Sequence, residues 1–322
     1  MPRQTLEDQR GLRTVTATAH SKVNLHLGVG PVREDGYHEL VTIFQALSLH
    51  DEIILREVDQ DPRQVAGQES IIAGFEVNGN PSVPTDSSNL AWRAIDKLYA
   101  WHRAHGGKQL LPVTLELNKG IPAAGGMAGG SADAAAALRA FNALLPHPAS
   151  EEVLLELSAE LGSDVPFTLS GGTQRGTGRG ENLTPVISTG TYHWALAFAK
   201  EGLSTPAVFA KLDTMQRSSH LDTRELALAL RSGDVHEVAA NLHNDMQAAA
   251  LSMRPSLRTT LERGQRAGAL RGIVSGSGPT CAFLCEDALI AQEVAAELGL
   301  YGAVAVASGP APGAQLSNLG QA

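Results

Sequence analysis

The segment Pro122-Ala-Ala-Gly-Gly-Met-Ala-Gly-Gly-Ser131 constrains this chain more than any other. It places four glycines in six positions and runs straight into the alanine-rich stretch Ser131–Leu145. Glycine lets a backbone take positive φ and approach a neighbour without a Cβ clash. A helix start carries unpaired N–H groups and the positive end of the helix dipole, so a glycine loop feeding a helix builds an anion site. The same glycines could serve close helix–sheet packing, but their density directly before the helix favours phosphate. This is not a Walker A loop: no Gly-Lys-Ser/Thr follows it, and the chain contains no Gly-x-Gly-x-x-Gly. Pattern alone therefore reaches an anion-binding helix start. Ser131 is placed to cap that helix, touch phosphate or reach a magnesium ion. Asp133 adds an anion in the first turn that supports the dipole or helps hold a hydrated metal.

What surrounds the loop narrows its ligand. At 322 residues the chain is long for one compact domain, so two domains sharing a cleft are expected. With 25 basic against 34 acidic side chains the formal net charge is −9, which disfavours nucleic acid and anionic membranes as partners. A small anionic ligand in one locally positive pocket remains compatible. Met1–Arg13 has no apolar centre and no apolar run approaches the ~20 residues of a bilayer span. The only cysteines, Cys281 and Cys285, would lie about 13 Å apart on one face of a strand. That is too far for a disulfide, so they read as core residues around Phe283. A soluble protein of the reducing cytoplasm is expected.

Thr14–Val29 alternates, with Val15, Ala17 and Ala19 followed by Val23, Leu25, Leu27 and Val29, which predicts a strand bulged or bent near His20-Ser21. Arg33-Glu34-Asp35-Gly36 supplies a turn before the β-rich stretch Leu40–Leu55. Helical spacing marks Asn89–His102, with Asp86 to Ser88 as cap candidates, and Glu151–Leu161, which Gly162 is placed to stop. Val113–Leu117 reads as a strand leading into the glycine loop, and Gly171–Gly180 as a hairpin. Further on, Trp194–Phe198 reads as a strand, Asp222–Ser232 and Val235–Ala250 as helices, and Ile273–Ser275 with Cys281–Cys285 as paired strands. A helix over Leu289–Leu298 and a strand near Val304 complete the order of a small α+β sandwich. The expected division is a flexible extension over 1–13, a domain over 14–184, a second over 190–308, and a flexible Pro/Gly-rich tail over 309–322.

Three segments, Ser21-Lys-Val-Asn24, Pro122–Asp133 and Ser275-Gly-Ser-Gly-Pro-Thr280, together resemble the GHMP kinase superfamily, in the family order and over nearly the whole chain. Two more, Arg33-Glu-Asp-Gly-Tyr-His-Glu39 and Gly162-Ser-Asp-Val-Pro-Phe167, resemble the branch that acts on a cytidine-diphosphate alcohol. The resemblance implies a two-domain α+β fold, with a ribosomal-protein-S5-like N-terminal domain, a ferredoxin-like C-terminal α/β sandwich, and the site between them. It implies ATP and Mg2+ as cofactors and transfer of the γ-phosphoryl to the 2-hydroxyl of a cytidine-diphospho-methylerythritol. Whether the chain is a monomer or a homodimer stays open.

The resemblance also assigns roles. Lys22 and Asp164 match the catalytic lysine and general base, although a strand lysine is ordinarily solvated and an aspartate after a helix stop ordinarily forms a turn. Asn24, two residues on from Lys22 along the strand, orients substrate or the aspartate. Pro122, Ala123, Ala124, Gly125, Gly126, Met127, Ala128, Gly129, Gly130 and Ser131 match the phosphate loop, Ser131 doubling as a possible magnesium contact. Asn89 and Lys119 match positions near the adenine, with a helix cap and a surface lysine as their plain alternatives. Tyr37 and His38 match the residues that stack on and hydrogen-bond the cytosine, and Phe209 the opposing stacking partner, unless it is a core residue. Gly276 and Gly278 let the second domain's loop pack on the phosphate loop. His26 reads as structural, and His102 and His105 as surface residues. His20 stands where the family has proline and Ala132 where many relatives have serine, leaving Ser131 alone for the metal or phosphate contact. Other kinases of the superfamily, acting on homoserine, mevalonate or a sugar, lack the Asp-Gly-Tyr-His and Gly-Ser-Asp-Val-Pro segments. A non-catalytic nucleotide binder would not need Lys22, Asp164 and Ser131 together.

Overall fold

The computed structural model describes residues 6–7, 11–34, 36–60, 70–122 and 125–317. Its first half is dominated by a long antiparallel pair, β2 (Arg13–Val32) and β3 (His38–Glu57), preceded by the short β1 (Leu6–Glu7). The expected bulge is present: the β2–β3 register shifts between His20 and Ser21, and again at Asn24/His26 and Val29/Val32. Bulges bend a strand and re-aim its side chains. Val15, Ala17, Ala19, Val23 and Leu25 are buried in the core, while Lys22, Asn24 and His26, also buried, point the other way. β4 (Ile72–Asn78), helix α1 (Leu90–Ala104) and β5 (Val113–Asn118) follow, β4 and β5 being parallel and β5 antiparallel to β3.

Helix α2 (Gly129–Leu144) leaves the glycine loop and lies across this sheet. Ala132, Ala134, Ala135, Ala136, Ala137 and Ala140 are all fully buried, which explains the alanine run: small side chains let the helix axis approach the sheet and α1 closely. α3 (Glu151–Leu161) is capped by the Ser150 side chain, carries Glu151 and Glu152 in its first turn, and stops at Gly162. α4 (Val165–Ser170), β6 (Thr173–Gly178) and β7 (Asn182–Pro185) complete the first half, β6 pairing with the far end of β3.

Residues 186–191 lead to a second, four-stranded antiparallel sheet. It is built from β8 (Tyr192–Phe198), β10 (Arg271–Val274), β11 (Cys281–Cys285) and β12 (Ala303–Gly309), in the order β10-β11-β8-β12. Between its strands run α5 (Thr205–Asp213), α6 (Arg224–Ser232), α7 (Val235–Asn241), the two-residue β9 (His243–Asn244), α8 (Gln247–Met253), α9 (Ser256–Arg266) and α10 (Ala288–Gly299). Leu257 and Leu261 of α9 and Val294 and Leu298 of α10 pack on Cys281, Phe283 and Cys285. Both cysteines are free, and burial pushes their thiols up to about 12 and about 11, so they are inert core residues. No helix among the described residues is long and apolar enough to cross a membrane.

Four expectations need correction. The 309–322 stretch is not a loose tail over its described part. Ala311 and Ala314 are buried, Ala311 N–H donates to Ala46 O at 2.9 Å, and β13 (Gln315–Leu316) pairs with Ala17 and Thr18 of β2. The glycines there serve close approach, since a Cβ at Gly313 would sit 2.2 Å from Leu169 O. In the 1–13 stretch, Leu6–Glu7 pairs with Arg13 and Thr14, and Arg13 is bound to Glu57. The single helix expected over Val235–Ala250 is broken at Leu242, where His243–Asn244 adds a parallel strand to β2. His102 is buried, its ring N–H donating to Lys108 O at 3.0 Å to close the loop after α1, while His105 is exposed as expected.

The break has an identifiable cause. The buried Asn244 side chain donates to Val274 O at 2.7 Å and Gly276 O at 2.8 Å and accepts from Met246 N–H at 2.8 Å. These bonds join β2, α8 and the loop after β10. Asn244→Ala should cost about 2–4 kcal/mol by stranding buried backbone groups. Urea unfolding would register this as a lower midpoint; an unchanged midpoint would mean the three bonds carry no net stability.

Candidate active site

The phosphate loop follows from two backbone features. Gly125 and Gly126 have φ of 93° and 83°, and Ala128 sits at φ 58°, the one non-glycine among the described residues with positive φ. Ala128 is the N-cap of α2 and makes no side-chain capping bond. Ser131 is thus not the cap, as the sequence suggested, but lies in the first turn. Within α2 the first backbone bond runs from Ala132 N–H to Ala128 O, so the N–H groups of Gly129, Gly130 and Ser131 have no intrahelical partner. All three residues line the main cleft, a cavity of about 1280 Å³. An uncapped helix start opening on a cavity is an anion site by dipole and by donors. Of the ten loop residues, Ala123 and Ala124 lie outside the described residues.

The loop is clamped from the other half of the molecule. Ser275 Oγ donates to Gly126 O and Thr280 Oγ1 to Gly125 O, each at 2.7 Å. A Cβ at Gly126 would stand 2.4 Å from Ser275 O, which is why this position takes glycine. Gly276 and Gly278, at φ 58° and 78°, turn the clamping loop. Gly276 also approaches β2: a Cβ there would be 3.4 Å from Lys22 Nζ and 3.3 Å from Asn24 Oδ1.

Lys22 is almost fully buried. Its ammonium donates to Asn24 Oδ1 at 2.7 Å and faces Asp164 Oδ2 at 3.7 Å, and its backbone N–H donates to Met127 O at 3.2 Å. Asn24 in turn donates to Thr42 Oγ1 at 2.9 Å, which fixes its amide so that the oxygen faces the lysine. Asp164 precedes α4 without capping it, and its side chain is about one-third exposed at 34%. A turn-forming aspartate would spend its carboxylate on backbone N–H groups; this one turns it toward Lys22 and the cleft. Thr168 Oγ1, one turn on, donates to Ser131 O at 3.0 Å and ties α4 to the first turn of α2.

Asn89 and Lys119 both line the cleft, together with Pro84, Ser88 and Leu90. Each has a structural task as well. Asn89 is the cap of α1, accepting from Ala91 N–H at 2.8 Å, so the cap lies one residue beyond the expected Asp86–Ser88. Lys119 is not a surface lysine: its ammonium is buried between Asp51, with which it makes a short contact, and Asp133, 2.9 Å away. Asp133 is buried at the edge of the cleft, and both its oxygens accept from Lys119. Burial, and then Asp51, hold the Asp133 carboxyl well above the usual range against the pull of Lys119.

At the other end of the cleft the Phe209 ring lies parallel to the His38 imidazole, 5.1 Å centroid to centroid. His38 Nδ1–H donates to Gly30 O at 2.9 Å, and Nε2 faces the Asp213 carboxylate at 3.2 Å. Tyr37 is 56% exposed beneath the Arg179 guanidinium, 5.2 Å from its ring centroid. His26 meets a cleft residue through its backbone carbonyl, which accepts from Thr42 Oγ1 at 2.6 Å; its ring nitrogen meets His220 O at 2.8 Å, a structural contact. Sequence reasoning missed Asp51, Arg179 and Asp213. Each is brought in by an element remote in the chain, and none carries a local signature.

Comparison with known proteins agrees with this geometry. The model of the GHMP kinases N terminal domain matches residues 89–172, and that of the GHMP kinases C terminal matches residues 226–304. A 4-diphosphocytidyl-2-C-methyl-D-erythritol kinase of Corynebacterium diphtheriae is 60% identical over 304 residues, 94% of this chain and 97% of the relative. The crystal structure of a 4-(cytidine 5'-diphospho)-2C-methyl-D-erythritol kinase superposes with a TM-score of 0.73 at 29% identity, covering 91% of this chain and 98% of that one. A homoserine kinase from Cytophaga hutchinsonii reaches a TM-score of 0.71 at 16% identity, covering 94% and 97%, a likeness of fold alone. With a two-domain α+β fold, both family segments in order and that level of identity, the chain belongs to the GHMP kinase family, among its 4-diphosphocytidyl-2-C-methyl-D-erythritol kinases.

Proposed function

We propose that this chain transfers the γ-phosphoryl of ATP to the 2-hydroxyl of 4-(cytidine 5'-diphospho)-2-C-methyl-D-erythritol, a step of non-mevalonate isoprenoid precursor synthesis. The observation that carries the reading is the Lys22–Asp164 pair, 3.7 Å apart, in the same cleft as the uncapped start of α2. The 60% identical relative of that name supports the substrate. Residues 14–184 would then form the ATP-binding unit and 190–308 the second unit, with cytoplasm as the compartment. A net charge of −9 keeps nucleic acid and anionic membranes from being partners.

In this reading the N–H groups of Gly129, Gly130 and Ser131 hold the phosphates of ATP, and Asn89 and Lys119 flank the adenine. Mg2+, when bound, neutralises phosphate charge. Ser131 Oγ, in the first turn of α2 and on the cleft, would be the side-chain oxygen that helps to hold it. Asp164 accepts the proton of the 2-hydroxyl as that oxygen forms its bond to the γ-phosphorus, and the bond to the β-phosphate oxygen breaks to release ADP. The Lys22 ammonium stabilises the developing alkoxide. Asn24 holds Lys22 in line. Little covalent work is asked of the protein; positioning and charge dominate. Tyr37 and Phe209 supply aromatic faces for the cytosine. His38, with Nδ1 committed to Gly30, offers Nε2 to its edge.

ADP release should require the cytidylated alcohol, with homoserine and mevalonate silent. Asp164→Asn should lower kcat by roughly 10²–10⁴ while leaving the KM for ATP nearly unchanged. Turnover of homoserine or mevalonate instead, or full activity of Asp164→Asn, would refute the assignment.

Stacking on a base is worth about 1–3 kcal/mol. Tyr37→Ala and Phe209→Ala should therefore each raise the KM for the cytidylated alcohol by about tenfold and leave that for ATP alone. Steady-state kinetics with each substrate varied in turn would separate the two; equal effects on both would contradict a cytidine pocket there.

A further inference from the structure

A second cleft, of about 550 Å³, opens beside β9, away from the phosphate loop, and His220, His243 and Asp245 all line it. None of the three lines the main cleft. Their candidate donor atoms all lie within 4.8 Å of one another. His220 Nδ1 and His243 Nε2 converge on a single oxygen, Asp245 Oδ1, at 2.9 and 2.8 Å. The two imidazoles are tilted by 51°, centroids 4.3 Å apart, so their nitrogens point at a shared locus and the rings do not stack.

We propose that His220, His243 and Asp245 form a binding site for a divalent transition-metal ion, zinc by chemistry, that fastens the segment after α5 to β2 and β9. Two imidazole nitrogens and one carboxylate oxygen are a zinc-type donor set with a fourth position left for water. Magnesium and calcium would choose oxygen donors instead. Tetrahedral ligands at zinc bond lengths stand about 3.3 Å from one another. The two nitrogen–oxygen separations, 2.9 and 2.8 Å, would open slightly, and the two nitrogens, within 4.8 Å of each other, would settle at that spacing.

The supporting shell is already built. Asp245 Oδ2 accepts from Val29 N–H at 2.8 Å and His220 N–H at 3.1 Å, which orients the carboxylate and leaves Oδ1 for the metal. Burial alone would raise the Asp245 carboxyl, but the bonds from His243, Val29 and His220 hold it well below the usual carboxylate range. The Arg217 guanidinium is 3.9 Å from Oδ2, the oxygen not used, and donates to Val29 O. His26, whose ring is 5.5 Å from that of His243, is lowered by burial and adds no charge at neutral pH. The ion would take the nitrogens that now meet Asp245 Oδ1, His220 Nδ1 and His243 Nε2, in place of their hydrogen bonds to it. Because the segment carrying His220 continues from α5, which bears Phe209 and Asp213, the ion would stiffen that wall of the main cleft.

Titration of the tag-free, chelator-treated full chain with Co2+ and then Zn2+ tests this. The expected result is one equivalent bound at micromolar or tighter, with the visible absorption of tetrahedral Co2+ bleached by Zn2+ and unaffected by saturating Mg-ATP. His220→Ala and His243→Ala, each confirmed folded by circular dichroism, should weaken binding by about tenfold or more. Absence of micromolar binding, or an equivalent whose affinity and spectrum survive both substitutions, overturns the proposal.

Discussion

Beneath the phosphate loop lies a buried ionic cluster on which the arrangement of the site depends. Asp51, fully buried within β3, accepts Gly120 N–H at 2.7 Å and Ile121 N–H at 2.8 Å through one oxygen and meets the Lys119 ammonium with the other. Lys119 reaches on to Asp133 in the first turn of α2. One lysine thereby couples β3, the exit of β5 and the helix start, and the chain between β5 and α2 is held at both ends. Burial alone would lower the lysine, but the two carboxylates raise it, so it stays charged. Removing Lys119 would leave two facing buried carboxylates without a counter-charge, a loss that typically costs about 3–5 kcal/mol.

The second constraint is the interlock between the two sheets. Ser275 and Thr280 hold the carbonyls of Gly126 and Gly125, Lys22 N–H holds that of Met127, and Gly276 leaves room for Lys22 and Asn24. With its carbonyls bound on that side, the loop keeps its helix-start N–H groups toward the cleft. The same clamp gathers Lys22 and the glycine loop on one side, while α4, tied through Thr168 to Ser131, carries Asp164. Geometry that in other folds would need one rigid element is here shared by β2, α2, α4 and the loop after β10.

Local pattern was a good guide where one element settles the matter. The bulge at His20-Ser21, the glycine loop and its helix, and the opposed placement of Lys22 and Val23 all follow from residues adjacent in the chain. It misled where a residue's meaning lies in a distant partner. Glycine and proline near the C-terminus read as looseness, whereas Gly313 is needed for close crossing over Leu169. Val235–Ala250 reads as one helix, and only Val274 and Gly276, far along the chain, explain why Asn244 breaks it. Lys119 reads as an exposed lysine because Asp51 and Asp133 come from other elements. Asp133 likewise carries no local sign that Lys119 donates to both of its oxygens.

Asp51 offers the most direct test, because it does not line the cleft and reaches a nucleotide only through Lys119 and the loop that the cluster holds. The affinity of Asp51→Asn for a non-hydrolysable ATP analogue, measured by calorimetry, should fall by at least about fivefold while circular dichroism shows an intact fold. Wild-type affinity in a folded Asp51→Asn protein would contradict the claim that the buried cluster sets the phosphate site.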